Sequence, residues 1–238
     1  MRLELPEVFR DFFAGVTNFL YPNGCFVCDE LVQQQQLLCL SCFGALPKLC
    51  SKRIGGQSSL KVFSLFNYAP PFDRLVFSKF GQDSSLLTQL GRLLWLTPGL
   101  QTTMESAALS RWLVVPVPLH WQRRWWRGFN QAALLASGLE QASGLQVLEA
   151  LKRHKNTKPQ TQTTSKSERL ENLKDAILLN AGSWFTGFTL AQLQQQCSGA
   201  GIILVDDLLT SGATLLACAQ RLKTLNPAKI IAVTVCRG

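Results

Sequence analysis

Asp206 and Asp207 stand side by side at the end of an apolar run, in the stretch "GIILVDDLLTSGAT" (201–214). Two adjacent carboxylates repel each other, so the pair needs an offsetting group, either a metal ion or sugar hydroxyls. Thr210, Ser211, Gly212, Ala213 and Thr214 follow directly and lead into a helical pattern. Amides at a helix start, together with three hydroxyls, suit a phosphate monoester. Gly212 has no side chain to block close approach of the backbone. These residue types in this order describe a receptor for a sugar with vicinal hydroxyls at one end and a phosphate at the other, a ribose 5-phosphate. Two rival readings are weaker. An ordinary strand–turn–helix corner would carry paired carboxylates with nothing to offset them. The Walker B strand of a P-loop ATPase would require a G-x-x-x-x-G-K-[ST] stretch, which the chain does not hold.

A second group of chemically capable residues lies in "VVPVPLHWQRRWWRGFNQA" (114–132), where Arg123, Arg124 and Arg127 are interleaved with Trp121, Trp125 and Trp126. Planar guanidinium forks suit phosphate oxygens. Three readings stay open: binding of pyrophosphate, binding of single-stranded nucleic acid through phosphate contacts and base stacking, and tryptophans that merely pack beneath the loop. A third group, Lys152, Arg153, Lys155, Lys158, Lys166, Arg169 and Lys174, crowds the polar stretch 152–174. It reads either as a solvated loop or as a flexible lid over a phosphorylated ligand. His120 and His154 are too far apart in sequence and context to suggest a catalytic pair.

The cysteines carry a separate chemistry. Cys25-x2-Cys28 and Cys39-x2-Cys42 can close a tetrahedral thiolate site around structural Zn2+, with Gly24 supporting a tight knuckle. Cys50 is an alternative ligand. Cys197, Cys218 and Cys236 lie in apolar or linker contexts and read as small hydrophobes.

Elements must position these groups. The chain has 238 residues, 47% of them apolar, enough for a packed core. An amphipathic helix is expected from about Pro6 to the "YPNG" stretch, for core or inter-domain packing rather than membrane binding, because its polar face is mixed in sign. Strands are expected at 60–72, 111–120 (stopped by Pro116 and Pro118), 201–205 and 229–236. Helices are expected within 73–96, at 130–144 and from Thr214 to Leu225. Apolar strands alternating with helices indicate an α/β domain with a parallel sheet. The formal charge is +9, unevenly spread: −2 over residues 1–50, +5 over 51–150 and +6 over 151–238. That excess fits an anionic partner, a phosphorylated small molecule or a nucleic acid. The start of the chain forms no clean signal peptide and no stretch spans a membrane, so a cytoplasmic location, with reduced cysteines, is expected.

The stretch "IILVDDLLTSGAT" resembles the thirteen-residue phosphoribosyl-pyrophosphate motif of type I phosphoribosyltransferases: four apolar residues, two acidic, two apolar, then T-[ST]-G-x-T. Within that group the chain resembles the ComF family, which includes competence proteins of transformable bacteria. The marks are Pro116–Ala132; Lys158 and Gln160 with Arg169, Asn172 and Leu173; and the knuckle Cys25–Cys42. Residues 176–200 are longer and less regular than the family pattern, and Leu208 and Leu209 replace the commoner Val-Thr or Val-Ile. The resemblance implies that Asp206 and Asp207 hold the ribose hydroxyls, that Thr210 to Thr214 hold the 5′-phosphate, and that Arg123, Arg127 and Lys158 receive the pyrophosphate with Mg2+. It favours the lid reading of the 152–174 stretch. It also implies a role in DNA uptake and natural transformation.

The expected architecture is therefore a small N-terminal helix and zinc-knuckle module, residues 1–55, followed by a type I phosphoribosyltransferase-like α/β domain, residues 56–238, whose parallel sheet is flanked by helices. Two functions compete. One is an enzyme that transfers a ribosyl phosphate from phosphoribosyl pyrophosphate, with Asp206 and Asp207 orienting the ribose. The other is a binding protein that senses phosphoribosyl pyrophosphate or a nucleotide and engages single-stranded DNA or DNA-processing competence proteins.

Overall fold

A computed structural model describes residues 24–25, 28, 30–32, 39–44, 51–56, 59–67, 84–119, 129–154, 176–182 and 188–238. The expected N-terminal helix, Cys50, the arginine–tryptophan loop (120–128) and most of the basic stretch (155–175) lie outside the described residues. The chain divides into two compact units, Met1–Leu46 and Pro47–Gly238. The first contains the cysteine knuckle and a short helix α1, Leu40–Gly44.

Among its described residues, the second unit is a six-stranded sheet with a small two-stranded ladder. Its strands are β1 (Lys52–Ile54), β2 (Leu60–Asn67), β3 (Trp112–Pro116), β4 (Gln146–Val147), β7 (Gly201–Leu209) and β8 (Lys229–Arg237), in the spatial order β1-β2-β8-β7-β3-β4. All neighbours run parallel except β1, which pairs antiparallel with β2. β5 (Leu151–Arg153) and β6 (Ile177–Leu179) form the separate antiparallel ladder. The helices are α2 (Ser84–Leu94), α3 (Leu100–Glu105), α4 (Gln131–Ser143), α5 (Leu190–Cys197) and α6 (Ala213–Lys223).

The composition of the strands explains their burial. β3 is buried at every residue, and β7 is buried from Gly201 through Val205. Strands covered on both faces read as unbroken apolar runs rather than as alternating ones. On one face, Ile202 and Leu204 of β7, Leu113 and Val115 of β3 and Ala232 of β8 join Leu193 and Cys197 of α5 and Leu215, Cys218 and Leu222 of α6 in one core. α2 and α4 pack against each other and against β7, β8, β3 and β2.

The approach of α2 to α4 is set by two glycines. A Cβ on Gly138 would meet the Thr88 carbonyl, with Gly91 Cα at 2.9 Å; a Cβ on Gly91 would meet the Leu135 carbonyl. The obstacles are backbone atoms, so no side chain can move aside.

The segment that read as irregular, 176–200, contains both β6 and α5. Its helix signal is a capping box. Thr189 Oγ1 accepts from the Gln192 amide at 3.2 Å, and Gln192 Oε1 accepts from the Thr189 amide at 2.7 Å.

Gly138→Ala is expected to destabilise the second unit. Overpacking costs about 1–3 kcal/mol, more than the ~1 kcal/mol that alanine gains over glycine inside a helix. Thermal unfolding checks this, and Gly91→Ala should move the midpoint in the same direction.

Candidate functional site

From β3 the chain turns to β4 on one side, whereas β7 and β8 lie on the other. The strand order therefore reverses between β3 and β7, and the carboxyl ends of strands at such a switch point are where open α/β sheets bind ligands. Pairing of β3 with β7 ends at Pro116 opposite Val205, with one further bond from the Val117 amide to the Val205 carbonyl at 2.9 Å. Proline at 116 and 118 removes the donors that would extend this ladder. β7 nevertheless continues to Leu209, paired among the described residues with β8 alone through Asp206–Thr234, Leu208–Cys236 and Leu209–Arg237. The strand is thus longer than the 201–205 expected from sequence. Asp206 and Asp207 sit on its overhang, within the strand rather than after it, and both are partly exposed.

The overhang lacks a β3 neighbour, and the carboxylates take over part of that role. Asp206 Oδ1 accepts from the Asp207 amide at 3.0 Å, and Asp207 Oδ1 accepts from the Leu208 amide at 2.7 Å. Burial holds the Asp206 carboxyl well above the usual aspartate range. The neighbouring Asp207 charge adds to this, and the Asp207 amide and the Arg153 guanidinium oppose it. Cys218 and Cys236 are fully buried behind the pair. Burial pushes the Cys236 thiol up to about 12, with Asp207 adding to it, and raises Cys218 further, with Asp206 adding. Both thiols therefore stay protonated and act as packing groups.

The bend that follows is built for close approach. Thr210 is exposed, Ser211 is partly exposed and Gly212 is buried. Gly212 has φ +75°, in the left-handed region, and a Cβ there would stand 2.5 Å from Ile54 Cδ1 and 3.5 Å from Leu209 Cδ1. The left-handed conformation selects glycine, and a Cβ would also require the end of the Ile54 side chain to shift. Ser211 Oγ accepts weakly from the Ala213 amide at 3.4 Å, and the Gly212 carbonyl accepts the first α6 bond, from Leu216, at 2.9 Å. The amides of Thr214 and Leu215 precede that bond, so they face outward at the positive end of α6. The support from Ile54 could not be read from the three residues of β1.

Of the remaining sequence-predicted site residues, Arg123, Arg127 and Lys158 lie outside the described residues. The stems of their loops are described. The arginine loop leaves from Leu119, just beyond the last β3–β7 bond, and returns at Phe129. Asn130 Nδ2 then donates to the Val117 carbonyl at 3.1 Å, which clasps the two stems together. Lys158 lies between β5 and β6, whose ladder is extended by the His154 amide donating to the Ala176 carbonyl at 2.9 Å.

In the first unit the Sγ atoms of Cys25, Cys28, Cys39 and Cys42 all lie within 4.8 Å of one another, and those of Cys28 and Cys39 are 3.7 Å apart. A tetrahedral ion with Zn–S bonds of about 2.3 Å separates its sulfurs by about 3.8 Å. An antiparallel bridge between Gly24 and Leu31, with the Cys25 amide donating to the Glu30 carbonyl at 2.6 Å, shapes the first pair. The Cys42 amide donates to Cys39 Sγ at 3.4 Å in the second. Desolvation and then the neighbouring thiols hold the Cys42 thiol far above its usual range. A divalent cation reverses that preference by stabilising thiolates. The four-sulfur arrangement is consistent with zinc.

The position of Asp206 carries a cost when no ligand is bound. A carboxyl raised above its unfolded value binds its proton more tightly when folded. Folded stability therefore falls as pH rises from the ordinary aspartate range through the raised value. Asp206→Asn, which keeps the acceptor for the Asp207 amide, is expected to flatten that fall. At neutral pH it should raise the melting temperature of the ligand-free protein by roughly 2–4 °C, the shift that ~1 kcal/mol gives in a domain of this size. Melting curves from pH 4 to pH 8 decide it.

The chain is similar to several known proteins. Residues 127–238 match the phosphoribosyl transferase domain family. The chain is 31% identical over 229 residues to DNA utilization protein YhgH of Escherichia coli (strain K12), covering 90% of this chain and 89% of that one. It is 30% identical over 172 residues to competence protein F of Haemophilus influenzae, covering 71% and 69%. It is 32% identical over 106 residues to competence protein ComFC of Bacillus subtilis, covering 44% and 36%. With a mostly parallel sheet, a carboxylate pair at its switch point and a four-cysteine cluster, the chain belongs to the ComF family of phosphoribosyltransferase-like proteins.

Proposed function

We propose that the protein binds phosphoribosyl pyrophosphate at the β3–β7 switch point and acts as a phosphoribosyltransferase in the handling of incoming DNA. The observation that carries this reading is the overhang of β7. It presents two carboxylates beside an open strand edge, and the left-handed Gly212 and the amino end of α6 follow within a few residues. Asp206 and Asp207 accept hydrogen bonds from the ribose 2′- and 3′-hydroxyls and orient the ring as positive charge grows at the anomeric carbon. Thr210, Ser211, Gly212, Ala213 and Thr214 hold the 5′-phosphate through hydroxyls and amides. Arg123, Arg127 and Lys158 are assigned to the pyrophosphate by their place in the sequence. Mg2+, bound with the pyrophosphate, would neutralise charge on the leaving group. The names of the relatives, DNA utilization and competence, support a part in DNA uptake and natural transformation.

A second reading is favoured by the positive excess beyond residue 50 and by those same names. Here the pocket senses the ligand while basic segments bind single-stranded DNA. The two readings separate experimentally. Excess phosphoribosyl pyrophosphate with Mg2+ is expected to raise the melting temperature by roughly 5–10 °C at about a hundredfold over Kd. Asp206→Asn combined with Asp207→Asn should abolish that shift and leave salt-dependent binding of single-stranded DNA in place. A flat response of the wild type would sink the phosphoribosyl reading.

In the N-terminal module we assign Cys25, Cys28, Cys39 and Cys42 to one structural Zn2+. All four positions are taken by thiolates, which leaves no open coordination for catalysis. Purified protein should hold about one zinc per chain, measured by elemental analysis. Cys28→Ser should lose most of it, whereas Cys197→Ser should retain it.

A further inference from the structure

The β5–β6 ladder brings one cation inward. Its last rung pairs Arg153 with Ile177. Directly paired residues of an antiparallel ladder project to the same face. Ile177 is fully buried in the core that α6 covers. Arg153 shares that face and is only partly exposed. The ladder is pinned to α6, where Arg221 Nε donates to the Ile177 carbonyl at 2.9 Å. Cys218 lies three residues before Arg221, on the same helix face and one turn nearer the bend. Leu204 of β7 lies in that same core, and Asp206, two residues on along the strand, projects to the same face. The charge of Arg153 acts on both Asp206 and Cys218, opposing in each case the effect of burial.

We propose that Arg153 is a positioning residue of the aspartate site: its guanidinium, turned inward by the β5–β6 ladder, is a resident counter-charge that holds Asp206 ready to accept hydrogen bonds. Its effect on ligand affinity rests on the phosphoribosyl reading; its effect on Asp206 does not. Among the described residues the titratable groups that act on Asp206 are Asp207 on the same strand, Arg153 from β5 and Cys218 from α6; its β8 partner, Thr234, is uncharged. Only an ionised carboxylate offers all its lone pairs to two vicinal hydroxyls, so the counter-charge acts through Asp206 without touching the sugar.

The test uses the full chain carrying Arg153→Gln or Arg153→Lys, each alone and combined with Asp206→Asn. In ligand-free melts, the fall in stability with rising pH should extend to higher pH in Arg153→Gln than in the wild type. Arg153→Lys should lie between them, and Asp206→Asn should erase the differences. In titrations with phosphoribosyl pyrophosphate and Mg2+, Arg153→Gln should weaken binding tenfold or more at neutral pH, recover part of the loss as pH rises, and be largely rescued by lysine. Ligand-free pH profiles of Arg153→Gln that coincide with the wild type overturn the proposal. If glutamine prevents folding, Arg153→Met, which keeps an apolar stem and removes the charge, decides, and a profile identical to wild type counts against the proposal. Absence of ligand binding by the wild type would overturn the phosphoribosyl reading, while the ligand-free cycle still decides Arg153.

Discussion

Two neighbouring carboxylates, partly withdrawn from water, are the constraint around which this domain is organised. Each repels the other and each loses hydration, so the surrounding structure must supply compensation or a ligand must. The compensation is visible in layers. Each carboxylate accepts the amide of the next residue, which stands in for the strand neighbour that β3 no longer provides. The guanidinium of Arg153 acts on Asp206 from the β5–β6 ladder. A few residues on, the amino end of α6 presents outward amides. What remains uncompensated is the preference of Asp206 for its proton, and a hydroxyl-bearing ligand would relieve it.

The aspartates and the bend were legible in sequence because their chemistry is local: apolar run, acid pair, hydroxyl-rich turn and helix occupy one continuous stretch. The reach of β7 was not. A strand buried on both faces reads as an apolar run, and acidic residues appear to end it. Its continuation to Leu209 depends on β8, which is distant in sequence. β1 escaped for a different reason. Lys52, Arg53 and Ile54 carry no periodic signal, yet Ile54 lies against the Gly212 bend. The capping box at Thr189 and Gln192 was readable and marks α5 within a segment that otherwise looks irregular.

Arg153 shows the same limit more sharply. In sequence it is one of seven cations in a polar stretch, with nothing to set it apart. Its inward placement comes from pairing with Ile177 across an intervening segment of more than twenty residues. Local periodicity carries no information about such a partner. Composition locates the charges of this protein, but only the pairing of β5 with β6 says which of them turns toward the site.

Asn130 shows how the fold joins the two arms of the switch point. An asparagine at a helix start ordinarily caps that helix by accepting a backbone amide. Asn130 occupies the N-cap of α4 and makes no such bond. Its side chain instead donates to the carbonyl of Val117, whose own amide is bonded to Val205, the residue before Asp206. Two hydrogen bonds thus link the start of α4 to the aspartate strand, and the arginine loop begins and ends between them. A departure from the local capping rule is expected where a site needs the side chain elsewhere. Among the described residues, the loop's stems are tied to β7 through backbone groups and the Asn130 amide. The same tie requires α4 to hold its position, and the close contact between Gly138 of α4 and Gly91 of α2 fixes how near those two helices lie.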